Sequence, residues 1–301
     1  MRLSLIDQQK ALDYIIEQGR SLEKAWAQKF QTGFWEEEVI RALVGFHNVD
    51  GGFGNGLEAD IRLPASSPIA TTIGLQHLER LDHLQSAQEM IQKAISYLES
   101  SFDKINERWY AVPRAVNDYP HAFWWKVYDN GLSWIDHHWG NPSAEIIGYL
   151  HKYKHYVKDL PVDSLTDKAL HHLKALTSFE SEHEVYCYVR FFRMHPDLLT
   201  PPVKRQMKKA VNQLVHTKPS DWKNYVPMPL KFVPSPDSPN YGMLHRNLDY
   251  FVHQLTHDHF IEPSWEWNDY LEDWEQAKRE WSAVLTLEAL EYLELFDRLE
   301  R

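Results

Sequence analysis

Apolar residues recur at helical spacing along nearly the whole chain, and the alternation that marks strands is almost absent. In FWEEEVIRALVGFHN, Val39, Ala42, Leu43 and Phe46 share one helical face; in IATTIGLQHLERL, so do Ile69, Ile73, Leu75, Leu78 and Leu81. The same period predicts helices over 5–18, 35–48, 69–81, 86–101, 143–153, 164–177, 182–194, 201–215, 244–256 and 280–295. The fold class is therefore all-α. Between these segments lie stretches rich in aromatics, too apolar for disordered linkers, so one domain over 1–301 is expected. Pro219, Pro227, Pro229, Pro234, Pro236 and Pro239 crowd one of them, a density that forbids helix and regular sheet. Either a lid or a rigid surface strap fits that stretch.

Between the second and third segments runs HNVDGGFGNGLEADIRLPASSP, residues 47–68. Four glycines in six residues (Gly51, Gly52, Gly54, Gly56) let the backbone take positive φ and stop the preceding helix. Asp50 before Gly51 favours a side-chain-to-backbone turn bond. Ser67 is placed to cap the next helix, with Pro68 at its first position, where a missing N–H costs nothing. Glu58, Asp60 and Arg62 alternate between these markers. In an extended segment they would point to one side as two carboxylates beside a guanidinium, able to split into acid and base roles. The competing role is structural: Arg62 neutralises the acids and ties the loop down.

The balance of charge and cysteine narrows the partners. A net charge of −11 argues against nucleic acid or an anionic membrane. One cysteine, Cys187, excludes an intrachain disulfide framework and suits a reducing compartment. Asp7 and Lys10 interrupt any signal-peptide core, and no apolar run is long enough for a membrane span. A cytoplasmic protein is expected.

Three segments, SSPIATTIGLQHLERL, GNPSAEIIGYLHKYK and REWSAVLTLEALEYL, share a cap, a small residue (Ala70, Ala144, Ala283) and an apolar helix. Helix pairs recurring around a ring would bury a continuous core and leave a funnel lined by the loops before the inner helices. The stretch ALVGFHNVDGGFG with its following helix resembles the repeat of squalene cyclases and protein prenyltransferase β subunits, through Asp50, Gly51, Gly52, Phe53 and Gly54. EPSWEWNDYLEDWEQAKREWSAVLTLEALEYL resembles a degenerate second copy. The resemblance implies an (α/α) toroid with a loop-rich cavity end and a small-molecule ligand, apolar or isoprenoid-like, in its centre. It does not carry over the known chemistry. The DxDD acid of triterpene cyclases and the DDxxD metal motif are absent. The single cysteine has Val185, not aspartate, two positions before it, so the zinc site of prenyltransferases is not reproduced.

Candidate chemistry therefore comes from the residues. His138, beside Trp134 and Trp139 and just before a predicted inner helix, is a possible acid or base near neutral pH. Glu266 with Trp265, Trp267 and Trp281 forms a second acidic-aromatic cluster, equivalent by repeat to the Glu58 loop. Aromatic walls with paired acids suit a saccharide hydrolase or lyase; they equally suit an apolar ligand, and a non-catalytic scaffold remains a third alternative. The residue types name no cofactor. His253 and His257 are one turn apart, but no familiar ligand set completes a metal site. The glycine run lacks the preceding strand a dinucleotide fingerprint needs.

Overall fold

The computed structural model describes residues 1–31, 33–233 and 241–301. Pro234, Pro236 and Pro239, half of the proline-rich stretch considered as a lid, lie outside the described residues. Twelve α-helices are seen among the described residues: α1 (Leu5–Gln18), α2 (Ser21–Ala27), α3 (Glu36–Val44), α4 (Pro68–Leu78), α5 (Gln85–Ser100), α6 (Gly140–Lys152), α7 (Val162–Ala175), α8 (Glu182–Met194), α9 (Pro201–Leu214), α10 (Pro229–Phe232), α11 (Tyr241–His257) and α12 (Leu271–Leu295). Extended pairing among those residues is limited to isolated bridges. No helix among them is long and apolar enough to cross a membrane.

Three departures from the periodic expectation have local causes. At seven residues α2 is too short to display a period, yet it is capped: the Arg20 N–H donates to Glu23 Oε2 at 3.1 Å while the two side chains pair. Helix α12 begins nine residues earlier than its apolar run. Only Trp274 and Ala277 are buried among those first nine residues. The proline-rich stretch holds one turn of helix, α10, because Pro229 sits at its first position, where proline is tolerated.

The chain packs as two compact units, residues 1–43 with 215–301, and residues 44–214. In the first, α1 lies against α12, α11 and α2 through Ala11, Leu12 and Ile15. The Leu3 N–H donates to Arg298 O at 2.8 Å, and the Glu300 N–H to Leu3 O at 3.0 Å, pairing the two chain segments.

In the second unit α4, α6 and α8 pack side by side, and α5, α7 and α9 each pack against the helix before them. Helix α6 is the centre: every residue from 140 to 150 is buried. The stretch from 47 to 68 is a packed turn upon this unit. Asp50 Oδ1 accepts from the Gly52 N–H at 3.0 Å and the Ser66 hydroxyl at 2.7 Å. His47 and Phe53 form an antiparallel bridge, and Ser67 Oγ caps α4 by accepting from the Ala70 N–H at 3.2 Å. The long segment between α5 and α6 is clamped by buried Asp136, whose carboxylate accepts from the Ala111 N–H at 2.8 Å and from the Ser133 N–H and hydroxyl at 2.8 and 2.6 Å.

Candidate functional site

Glu58, Asp60 and Arg62 do not lie in an extended segment. The Ile61 N–H reaches back to Glu58 O at 3.0 Å, and the Glu58 carboxylate accepts from the Asp60 N–H at 3.1 Å, closing a turn. Gly56, at φ +78°, and the carboxylate-to-backbone bond make that turn easier to form than extension. Backbone pairing with the 120–122 segment fixes it: Arg62 N–H to Pro120 O at 2.8 Å and Ala122 N–H to Asp60 O at 3.0 Å. Both carboxylates are buried, and the crevice beside Glu58 holds about 10 Å³, room for about one water.

The second acidic-aromatic cluster lies in the other unit. Trp267 is fully buried, its ring 6.0 Å from that of Trp274, so it is core. Trp265 and Trp281 meet edge to face at 5.1 Å, with Tyr225 at 5.5 Å from Trp265. Glu266 is exposed. Trp134 is exposed beside His137. The His253 and His257 rings lie 4.3 Å apart, tilted by 50°, and no group of three metal-binding side chains occurs among the described residues.

His138 and Trp139 are brought into a convergent site, with partners from three helices. Glu184, in the first turn of α8, sends its carboxylate to the start of α6 and to α7. Oε1 accepts from the Gly140 N–H at 2.7 Å and from His172 Nε2 at 3.0 Å; Oε2 lies 4.0 Å from His138 Nδ1. The carboxylate is 6% exposed, each imidazole 28%. Burial pushes the Glu184 carboxyl up, but the His172 hydrogen bond, the Gly140 N–H and the charges of His172 and His138 outweigh it and hold it below the ordinary glutamate range. With the carboxylate charged, His172 Nε2 must carry the donated proton.

Trp139 joins this group to a cleft. Its ring lies 4.9 Å from that of His172, Lys168 Nζ sits 5.6 Å from its centroid, and its indole N–H donates to Glu107 O at 3.2 Å. Lys168 and Glu107 pair at 2.6 Å and line an open cleft of about 720 Å³. Phe102, Leu160, Pro161 and Leu165 supply its apolar lining, and Lys104, Asp159, Asp167 and His171 polar groups beside them. That volume falls in the range of small-molecule sites.

Glu184 and His172 carry no sequence motif. Ser181-x-x-Glu184 reads as a capping box, and Ser181 Oγ does accept from the Glu184 N–H at 3.2 Å. The available signal is an acid on the apolar face of α8, one and two turns from Tyr188 and Phe191, which are buried with it.

No known protein family, no curated protein and no solved structure matches this chain.

Proposed function

We propose that this protein binds a hydroxyl-rich small molecule of the saccharide class in the 720 Å³ cleft, and that Glu184, His172 and His138, which adjoin the cleft through Trp139 without lining it, supply acid–base chemistry to it. One observation carries the proposal: the cleft wall formed by Lys168 and Glu107 is in contact with Trp139, and Trp139 packs on the histidine that a buried carboxylate holds. A sugar ring has apolar C–H faces and polar edges, which an apolar lining with polar groups beside it complements. A buried carboxylate that holds one part-exposed histidine by a hydrogen bond, with a second beside it, places imidazoles to exchange protons with a bound hydroxyl. In this reading His138 moves the proton and His172 is the anchor.

The expected (α/α) ring belongs to the same proposal, supported by the alternation of α4, α6 and α8 with α5, α7 and α9. An apolar, isoprenoid-like ligand draws its support from the DGGFG turn, whose residues pack against α4 and α5. A panel of neutral oligosaccharides and polyprenols, screened by thermal shift, separates the two. Saturation by a saccharide at a hundredfold excess over Kd raises stability by about 2.7 kcal/mol. Trp139→Ala removes that shift. Stabilisation by polyprenols alone would overturn the saccharide reading.

A further inference from the structure

Helix α6 carries a second buried carboxylate, which the saccharide site does not use. Glu145 is 1% exposed, one turn beyond the start of α6. Its Oε1 accepts from Gln76 Nε2 of α4 at 2.9 Å and from the Tyr149 hydroxyl at 3.4 Å; its Oε2 lies 2.7 Å from Arg190 Nε of α8. An ion pair at this depth adds little net stability, because removing two charges from water offsets their attraction. What it does supply is placement: a carboxylate on α6 lies against the guanidinium Nε of α8.

The charges are layered. Arg190 Nε is buried against Glu145, while the side chain as a whole keeps 29% of its surface exposed. Its Nη2 lies 3.7 Å from the buried Cys187 Sγ, a weak acceptor. One turn on, Arg193 is 53% exposed and rests on Glu79, 13% exposed, at 2.8 Å. In both pairs the acid lies inside and the guanidinium outside. Lys152, bound to Glu79 at 3.2 Å and Asp82 at 2.9 Å, extends the cationic layer.

We propose that Arg190 and Arg193 form an oxyanion site that takes the carboxylate or phosphate group of a small molecule. A guanidinium presents donors in a planar fork that matches both groups, and a buried carboxylate behind it places the fork before the ligand arrives. Glu145 and Gln76 are positioning residues; Arg190 and Arg193 touch the anion. The site is independent of the saccharide reading, since it shares no residue with the cleft or with the group of Glu184, His172 and His138.

The test is titration calorimetry of the full chain with inorganic phosphate and with acetate. The structure predicts saturable binding of at least one of them, phosphate or carboxylate preference being read from the stronger. Arg190→Lys keeps the charge beside Glu145 but loses the fork, and is expected to weaken binding about tenfold. Glu145→Met with Arg190→Met replaces the buried pair by apolar groups, so its melting temperature should stay close to that of the parent while anion binding disappears. Absence of binding to both anions in the parent protein, or unchanged binding in the folded double variant, would overturn the proposal.

Discussion

Single atoms decide the form of the turn that follows α3. A Cβ on Gly54 would stand 2.3 Å from Ala65 O and 2.4 Å from Pro64 O, with backbone on both sides and no flexible neighbour to move. Gly54→Ala should therefore lower stability by about 2–3 kcal/mol in urea unfolding. Gly242, in the first turn of α11, has no described residue within 4 Å of an added Cβ, and there the same substitution should stabilise by up to about 1 kcal/mol. Opposite signs for two Gly→Ala changes check the packing assigned to each.

Glu184 makes a pH prediction at the same scale. Its carboxyl titrates lower in the folded than in the unfolded chain, so its stabilisation is fully present above the ordinary glutamate pKa of about 4.3 and is lost as pH falls through the folded value. Urea midpoints of the parent should drop more than those of Glu184→Gln across that acid range; equal slopes would contradict the environment set by the Gly140 N–H and the two histidines. His151 acts higher. Burial and the neighbouring His195, whose ring lies 4.4 Å away, hold its imidazole below the ordinary value. The unfolded chain then takes up the proton first, and stability declines as pH falls from about 6.5 towards the lower folded value.

At the scale of elements, helices were legible wherever an apolar face ran for three turns. Leu5–Gln18 and Glu182–Met194 have the bounds that their periods predict. The start of α4 was legible too, because a serine followed by proline has one favourable place on a helix. Ser67→Ala removes the acceptor for the Ala70 N–H and should cost about 1 kcal/mol, measured as a shift in the urea midpoint. What could not be read was set by tertiary contacts. Helix α2 stands on a cap and five buried residues, and the first nine residues of α12 on Trp274 and Ala277. The candidate site divides in the same way. His138 and Trp139 stood out as a histidine and an indole in a loop before a helix. Glu184 looked like a cap, and His172 like any helical histidine, because their meeting depends on three helices that sequence spacing does not relate. Alternation suggested a row pointing to one side for Glu58, Asp60 and Arg62, but a turn closed from Ile61 to Glu58 and pairing with residues 120–122 set their placement.

Across the molecule, burial concentrates on α6 in the 44–214 unit, with α4, α5, α7 and α8 packed around it. Amide exchange should be slowest there for residues 144–150 and faster for α9, whose buried residues are Val203, Ala210 and Val211. Protection of α9 beyond that of α6 would contradict this hierarchy. The same helix holds both carboxylate arrangements in place, one meeting Glu184 at its first residue and the other at Glu145. Rigidity at the centre is what lets part-exposed histidines and guanidinia be positioned by buried acids.

The most direct measurement is the indole N–H resonance of Trp139, followed by NMR while neutral oligosaccharides are added. It bonds to Glu107 O, on the wall of the cleft, and its ring packs on His172, so a sugar in the cleft must move it. The account predicts a saturable shift of this resonance and of the His172 ring, reduced in Lys168→Met. A Trp139 resonance that stays fixed while another part of the chain responds to ligand would contradict it.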